Sequence, residues 1–502
     1  MSRERLILAV DQGTTNTKVL LMDRAGAVRA RASRPLGIAF PEPGWVEQDA
    51  RELWASVVAA MDDCLEQVQG TEVAAVGVTN QRESVIVWDR RSGEPAGPCI
   101  TWQCRRTAAF CAELHERGLD RLIRERSGQP IDPLFSASKA AWLLAHIPDG
   151  HSRAAAGELC MGTVDSWLLW RLSGGARHAT DPSNASRTQL LNLRSVGWDA
   201  ELAKVFGIPA ACLPTLHASS SVFGETTGCG RMPAGVPVAS LIGDSHAALF
   251  GHAAFVPGSV KATYGTGSSL MTLTSAPVAS IHGLSTTIAW ARPDGVSYAL
   301  EGNITNTGGT MQWLAQVLSL PGGAEETAGL AGSVPDSAGA YLVPAFAGLG
   351  APHWDSGSRG VLCGLTRGTT AAHLARAALE SIAFQVHDVL EALGRDAGIA
   401  LPALLADGGA SRNDALMQFQ ANILERPVIR SSSPDLSAIG AAWLAGLAVG
   451  YWGSLEELAA MPRPTDRFEP CMAPARRREL IDGWQDALAR TKSSAGAHEA
   501  VG

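Results

Sequence analysis

The sequence predicts an α/β protein with two large domains, and three features indicate this class. At 502 residues the chain is too long for a single hydrophobic core. Short apolar runs typical of buried strands alternate with segments that have helical periodicity. A pattern of strand, glycine- and hydroxyl-rich turn, and strand occurs near the start of each half of the chain, which indicates duplication at the scale of a domain.

The composition excludes several classes of protein. Apolar residues make up 46% of the chain and charged residues 18%, which is typical of globular rather than disordered proteins. The net charge of −8 argues against nucleic acid or an acidic membrane surface as the main partner. We see no secretory signal, since the first apolar run ends at Asp11, and no apolar run long enough to cross a bilayer. The nine cysteines form no CxxC pair, so we expect free thiols and a cytoplasmic location.

The first polar turn lies in the sequence AVDQGTTNTKVLLMD, residues 9–23. Apolar runs at 6–10 and 19–22 predict two buried strands, and we interpret the segment between them as longer than a minimal hairpin turn. Gly13 permits close approach by a ligand, and the next three side chains can donate to a phosphate. Lys18 can add a positive charge, whereas Asp11 would repel phosphate unless a metal ion lies between them. The alternative is a polar hairpin loop without a ligand.

Helices and strands alternate through the rest of the first half. Asp49 and Glu52 resemble a capping box before a helix whose apolar face is Trp54, Val57, Val58, Met61 and Leu65. Residues 73–89 predict a strand, a polar interruption and a second strand. A later apolar strand ends at Asp244 and precedes a predicted helix. In open α/β sheets ligands bind at the carboxyl ends of strands, so Asp244 is a candidate site residue, and capping of the helix is the alternative.

The second half repeats the same turn chemistry. The stretches Tyr264-Gly-Thr-Gly-Ser and Asp407-Gly-Gly-Ala-Ser correspond in composition to Asp11-Gln-Gly-Thr-Thr. We infer from these three turns that a nucleotide lies between the two copies. The chain has no P-loop pattern (GxxxxGK followed by Ser or Thr), and the first turn lacks GxGxxG, which argues against a dinucleotide.

The chain resembles the FGGY carbohydrate kinases, and among them the glycerol kinases, from Asp11 to about Trp452. The stretches that carry the resemblance, in order, are DQGTT, GWVEQD, TNQRE, WQCRRT, SNASRT, TYGTG, ALEG, VPAFAGLGAPHWD, GLTRG, LESIAFQ, DGGAS, LMQFQA and GAAWLAGLAVG. The resemblance implies two ribonuclease H-like domains, of the actin and hexokinase type, flanking a nucleotide cleft. We expect domains at 1–247 and 248–490, a flexible tail at 491–502, and a homo-oligomer, dimeric or tetrameric.

The resemblance also implies the cofactors and the roles of individual residues. ATP and Mg²⁺ would be the cofactors, and a small polyol or sugar would accept the phosphoryl group. Asp11 and Asp244 would hold Mg²⁺, and Asp244 would also be the catalytic base. The nucleotide would contact Thr14, Thr15, Asn16, Lys18, Thr266, Gly267, Gly308, Gln312, Gly409 and Asn413. The acceptor would be held by Arg82, Glu83 and Trp102, which can pair with hydroxyls and cover a C–H surface.

Three departures from the glycerol kinase pattern fall in the implied acceptor pocket. Leu134 in DPLFSA replaces a tyrosine, Ser245 in GDSH replaces a glutamine, and Ser269 in GTGSS replaces an aromatic residue. A site that recognises substrate hydroxyl groups through hydrogen bonds discriminates less between substrates when its hydrogen-bonding side chains are removed. We therefore expect a larger pocket and an acceptor with four or five carbons, such as a tetritol or tetrulose. We interpret His246 as a surface residue at a helix start, with substrate contact as the alternative.

Other functions remain open on the sequence. Glycerol kinase proper is the nearest alternative, followed by a ketopentose kinase. A function of a different class is a non-catalytic, actin-like scaffold that binds ATP. Arg82, Glu83, Trp102 and Asp244 argue against the scaffold, because it needs no site for a polyol.

Overall fold

The computed structural model describes residues 4–68, 70–355 and 357–493. Most of the predicted tail, from residue 494 onward, lies outside the described residues. The elements of the first half are β1 (Arg5–Gln12), β2 (Asn16–Met22), β3 (Val28–Pro35), β4 (Glu47–Gln48), α1 (Ala50–Glu66), β5 (Glu72–Asn80), β6 (Val85–Asp89), β7 (Cys99–Ile100), α2 (Ala108–Glu116), α3 (Asp120–Ser127), α4 (Ser136–His146), α5 (Gly150–Ala155), β8 (Leu159–Thr163), α6 (Val164–Leu172), β9 (Ala179–Thr180), α7 (Pro182–Ala185), β10 (Leu191–Asn192), β11 (Gly197–Trp198), α8 (Ala200–Phe206), β12 (Thr215–Leu216), β13 (Ser220–Cys229), β14 (Met232–Gly243) and α9 (Asp244–Gly251).

The second half continues the alternation of strands and helices. Its elements are β15 (Val260–Tyr264), β16 (Ser268–Thr274), β17 (Ser285–Arg292), β18 (Gly295–Ile304), α10 (Gly308–Val317), α11 (Gly323–Gly332), β19 (Tyr341–Val343), β20 (Val361–Cys363), α12 (Ala371–Ala397), β21 (Leu404–Asp407), α13 (Asp414–Leu424), β22 (Val428–Ser431), α14 (Leu436–Ala448), α15 (Leu455–Ala459), β23 (Thr465–Phe468) and α16 (Pro474–Thr491).

Two sheets of the same plan dominate the fold. The first has the order β3-β2-β1-β5-β14-β13 and the second contains β18-β16-β15-β21-β22-β23, with β17 added beyond β18. In both, the first three strands are antiparallel, the next two pair in parallel, and the last is antiparallel. The duplication inferred from the repeated turns is therefore present as two α/β sheets.

The first hairpin is tighter than the apolar runs indicated. Strand β1 continues through Gln12, β2 begins at Asn16, and Gln12 pairs with Thr17 across the ladder. The amide of Gly13 donates to the carbonyl of Asn16, so only residues 13–15 connect the strands. This connection is still longer than a minimal hairpin turn, as predicted, although backbone pairing continues through polar residues that the apolar runs left outside the strands.

The first predicted helix is confirmed, with one change at its start. Asp49 is the N-cap of α1, and its carboxylate accepts from the amide of Arg51. The capping box expected with Glu52 does not form, since the Glu52 side chain turns towards Gly37. The buried face of α1 packs on the first sheet.

Helix α14 joins the two halves of the molecule. Although it comes late in the chain, it packs against β5 and β14 of the first sheet and against α9. Gly77 of β5 lets the helix approach, since a Cβ there would lie 2.4 Å from the carbonyl oxygen of Ala441. The same apolar cluster includes Ile7 of the first sheet and Met271 of the second. The expected boundary at 247 and 248 remains a prediction.

Two further features concern the chain as a whole. Within the described residues, no helix combines the length and the apolar character that crossing a membrane requires. All nine cysteines are free thiols, and Cys471 is the exposed one among them.

Candidate active site

The first turn places Asp11 beside a cation and facing a second acid. Asp11 pairs with Lys18 across the β1–β2 ladder, just before the Gly13–Thr15 connection. Burial raises the pKa of Asp11 to about 7, Lys18 opposes the rise, and the negative charge of Asp244 adds to it. The two carboxylates predicted to hold a metal ion are therefore close enough to influence each other. Thr15 and Asn16 are exposed, and the Lys18 amine donates to the carbonyl of Pro434 at 3.5 Å.

Arg82 meets Asp244 at the end of the first sheet. Strand β5 ends at Asn80 and β14 ends at Gly243, and these two residues are partners in the parallel ladder. The side chains that follow both strands are consequently neighbours, and Arg82 Nε donates to Asp244 Oδ1 at 3.1 Å. Burial raises the pKa of Asp244, and the positive charge of Arg82 counteracts it. The Asp244 side chain is 38% exposed, so its carboxylate remains accessible from the cleft.

A buried carboxylate of the second domain completes the surroundings of Arg82. Arg82 Nη1 donates to both oxygens of Glu301, at 2.7 and 2.9 Å. Arg187 pairs with Glu301 at 2.9 Å and donates to Glu83 Oε1 at 2.5 Å. Glu83 itself has a positive φ of 60°, an unusual backbone conformation for a residue other than glycine. Glu301 and Arg187 were missed on the sequence, although both lie in stretches that carry the resemblance.

The residue at position 134 lies beside Glu83. Lys139 Nζ donates to the carbonyls of Glu83, at 3.3 Å, and Leu134. Ser136 also donates to the Glu83 carbonyl, at 2.9 Å. Lys139 is fully buried, and this burial lowers the pKa of its amine to about 8. Lys139 therefore holds the backbones of Glu83 and Leu134 next to each other.

The two serines that replace larger residues are both held by buried charges. Ser245 Oγ accepts from Lys261 Nζ at 2.9 Å, and Ser269 Oγ donates to Glu301 Oε1 at 2.7 Å. Lys261 also donates to Thr263 at 2.9 Å. Ser245 lies in the first predicted domain and Ser269 in the second, so the positions expected to line the acceptor pocket come from both.

His246 is not a surface residue, and the interpretation made on the sequence was wrong. Its side chain is 0% exposed, within α9. Nε2 lies 3.2 Å from Thr287 Oγ1, whereas Nδ1 has no hydrogen-bonding partner within the described part of the chain. Burial, helped by the charge of Arg82, lowers the pKa of His246 well below its ordinary value, so the imidazole is neutral. The third residue of a helix is buried here because its side chain lies against Thr287 of the second sheet and near Arg82 and Glu301.

Trp102, which is expected to hold the acceptor, contacts the first turn. Its indole Nε1 donates to Thr14 Oγ1 at 2.9 Å, and its amide donates to Ser84 Oγ at 3.1 Å. The side chain is only partly buried, so it is not simply part of the core.

The second glycine turn is tied to the start of α10. The amides of Gly308 and Gly309 donate to the carbonyls of Gly265 and Thr266. A Cβ on Gly267 would lie 2.5 Å from the carbonyl oxygen of Ile304, so the turn requires glycine there. The first amides of α10 are therefore already paired with the carbonyls of the glycine turn, which fixes the turn against the start of the helix.

The third turn lies next to the second. Gly408 has a φ of +94°, and a Cβ there would contact the backbone of Tyr264 at 2.5 Å. A Cβ on Gly409, by contrast, would have open space around it. Asn413 caps α13, with Oδ1 accepting from the amide of Leu416. Gln312 lies one turn into α10, so the nucleotide residues expected in the second domain occupy adjoining elements.

The donor set fits a magnesium ion brought in by a nucleotide. Among the residues that the structure describes, no group of three or more His, Cys, Asp or Glu side chains could hold a metal ion. Mg²⁺ commonly binds one or two carboxylates together with substrate phosphates and water. Asp11 and Asp244, which interact electrostatically, can supply the protein's share of such a shell.

Two sheets of the same topology, with glycine turns and the Asp11 and Asp244 carboxylates, are the features of a two-domain phosphotransferase. Comparisons with known proteins identify the family. The models "FGGY family of carbohydrate kinases, N-terminal domain" and "C-terminal domain" match residues 6–251 and 260–449. The chain belongs to the FGGY family of carbohydrate kinases, which transfer a phosphoryl group to an alcohol. The resemblance and the fold predicted on the sequence are confirmed.

Individual relatives match along nearly the whole chain. A glycerol kinase of Stenotrophomonas maltophilia is 49% identical, over 97% of this chain and 98% of the relative. An apulose kinase of Pectobacterium atrosepticum is 48% identical over the same shares of the two chains. Among solved structures, the Plasmodium falciparum glycerol kinase with ADP has a TM-score of 0.91 and 31% identity, covering 98% of this chain and 99% of that one.

Proposed function

We propose that this enzyme transfers the γ-phosphoryl group of ATP to a primary hydroxyl of a polyol or sugar with four or five carbons, such as a tetritol or tetrulose. The observation that carries the proposal is the Arg82–Asp244 pair at 3.1 Å, beside a pocket where Leu134, Ser245 and Ser269 replace larger residues. The ADP in the similar Plasmodium falciparum structure supports ATP as the donor.

The first and second domains would each hold one part of the nucleotide. Thr14, Thr15, Asn16 and Lys18 suit the transferred phosphate, and Thr266 and Gly267 suit the rest of the phosphate chain. Gly308, Gln312, Gly409 and Asn413 would contact the nucleoside. Mg²⁺ held by Asp11 and Asp244 would neutralise charge on the phosphates.

Asp244 is the proposed catalytic base. The acceptor hydroxyl attacks the γ-phosphorus, its proton passes to the Asp244 carboxylate, and ADP leaves with the electrons of the broken P–O bond. The pKa of Asp244 is raised by desolvation, with Arg82 opposing the rise, so this carboxylate is a stronger base than an ordinary one. Closure of the cleft would keep water from the γ-phosphate.

The acceptor pocket supports a substrate larger than glycerol. A serine in place of an aromatic ring frees volume, and Leu134 removes a hydroxyl that could bind the substrate. Because Ser245 and Ser269 are already paired with Lys261 and Glu301, they present polar groups in fixed positions. The apulose kinase among the relatives supports acceptors other than glycerol in chains this similar. Glycerol kinase proper remains the second candidate, favoured by the 49% identity to such an enzyme.

We also propose a cytoplasmic location and assembly into a dimer or tetramer. The free thiols support the first proposal. Closed homo-oligomers are common among enzymes of this kind of fold, and light scattering coupled to size-exclusion chromatography would test the second.

ADP release in the presence of candidate acceptors tests the proposed function. The panel comprises glycerol, erythritol, both threitols, erythrulose, xylulose and ribulose, each assayed with ATP and Mg²⁺. We expect ADP release to depend on the acceptor and at least one four- or five-carbon compound to have a higher kcat/KM than glycerol. A preference for glycerol over all the other compounds would favour glycerol kinase. ADP release at the same rate with and without every acceptor would favour the ATP-binding scaffold.

A further inference from the structure

We propose that Glu301, on β18 of the second domain, is a positioning residue that holds the acceptor-binding side chains of the first domain. The inference rests on the proposed function, because it takes Arg82 and Glu83 as the groups that bind the acceptor. Glu301 is separated from Arg82 by 219 positions in the chain, and its side chain is 0% exposed.

The hydrogen bonds of Glu301 reach both acceptor-binding residues. Arg82 Nη1 contacts both carboxylate oxygens, while Arg82 Nε contacts Asp244. The orientation of the Arg82 guanidinium is thus fixed by one acid from each domain. Arg187 lies between Glu301 and Glu83, with contacts of 2.9 and 2.5 Å. Glu301 therefore orients Arg82 directly and Glu83 through Arg187.

Ser269 connects this network to the altered pocket. Its hydroxyl donates to Glu301 Oε1 at 2.7 Å, on the same oxygen that accepts from Arg82 at 2.7 Å. A phenylalanine at position 269 could not make this contact, because its side chain has no donor. The serine that enlarges the pocket thus also adds a donor to Glu301, which makes the pair a determinant of acceptor specificity.

The charges of the network favour a functional role over a purely structural one. Burial alone would raise the pKa of Glu301, but Arg187 and Arg82 hold it well below its ordinary range, so the carboxylate is ionised. Apolar residues can often replace buried ion pairs without loss of stability, so a contribution to folding stability alone is a weak explanation for such a network. Its members come from both domains, so the acceptor-binding groups reach this arrangement only when the domains meet.

The decisive variant is Glu301→Gln, which keeps the shape and removes the charge. With the best acceptor of the panel, we expect KM for the acceptor to rise at least tenfold while KM for ATP changes less than twofold. Glu380→Gln is the matched control, because Glu380 is also buried in the second domain and paired with an arginine, Arg376, at 2.7 Å. We expect it to leave both KM values unchanged.

Arg187→Lys keeps the experiment decisive if Glu301→Gln does not fold. Lysine preserves the positive charge but has one nitrogen in place of the separate Nε and Nη1 atoms that contact Glu83 and Glu301, so we expect a higher KM for the acceptor and an unchanged KM for ATP. Unchanged acceptor KM, or equal increases in both KM values, would overturn the inference. Failure of the proposed function is distinguishable, since the wild-type enzyme would then show no acceptor-dependent ADP release.

Discussion

The indole Nε1 of Trp102 donates a hydrogen bond to Thr14 Oγ1 at 2.9 Å. This contact joins a residue expected to hold the acceptor to the turn expected to bind phosphate. These residues are 88 positions apart in the chain and were assigned on the sequence to different parts of the site. The contact gives a direct route by which binding of one substrate can affect binding of the other.

The Trp102–Thr14 contact can be tested by a double-mutant cycle. Trp102→Phe keeps the aromatic face and removes the donor, and Thr14→Val removes the acceptor. A neutral hydrogen bond contributes about 1 kcal/mol, so we expect each single variant to lower kcat/KM by about fivefold. The double variant should be little worse than either, as expected for partners in one interaction. Additive losses in steady-state kinetics would contradict a coupling between the two residues.

Asp244→Asn should separate binding from phosphoryl transfer. The amide keeps the shape of the side chain but cannot take the acceptor proton, so we expect kcat to fall by about 10²–10⁴-fold. ATP affinity, measured by calorimetry, should be nearly intact. An unchanged kcat would overturn the assignment of Asp244 as the base.

Two glycines in the second domain should respond differently to the same substitution. Gly409→Ala adds a methyl group to open space, so we expect unchanged thermal stability and weaker ATP binding if the nucleotide lies there. Gly267→Ala forces a Cβ to within 2.5 Å of a backbone oxygen, so stability should fall together with ATP binding. Thermal unfolding with and without ATP measures both effects. Full ATP affinity in Gly409→Ala would argue against a nucleotide contact at this turn.

Lys139 should make stability depend on pH in the alkaline range. Its pKa is about 8 in the folded protein against an ordinary value of 10.5. Between these values the unfolded chain binds a proton that the folded protein lacks, so the free energy of unfolding rises with pH. Below pH 8 both states are protonated and this contribution is constant. In urea titrations, the free energy of unfolding of the wild-type protein, relative to that of Lys139→Met, should therefore rise between pH 8 and 10. A difference between the two proteins that does not change with pH would contradict a buried amine with a lowered pKa.

The overall fold could be predicted because its signals are local. Apolar runs, glycine turns and helical periodicity are read within short windows, and the repeated turns reveal the duplication. The predicted site residues Arg82 and Asp244 also meet as expected, because each follows the carboxyl end of a parallel strand. These are positions that strand order alone brings together.

What the sequence could not show depends on packing between distant segments. Glu301 and Arg187 gain their importance from each other and from Arg82, through contacts between segments that are distant in the chain. A sequence signal did exist for Lys261 and Glu301, since each is the single charged residue of its strand. The burial of His246 was missed because it depends on Thr287, which lies 41 positions away in the chain and belongs to the second sheet.

The most direct test of an intact kinase site with an altered acceptor pocket is a competition measured by ³¹P NMR. The enzyme receives ATP, Mg²⁺ and equal concentrations of glycerol and the four- and five-carbon compounds of the panel, and the phosphate esters are quantified at low conversion. We predict that the main product is the ester of a tetritol, tetrulose or pentulose. Glycerol phosphate as the dominant product would contradict the account.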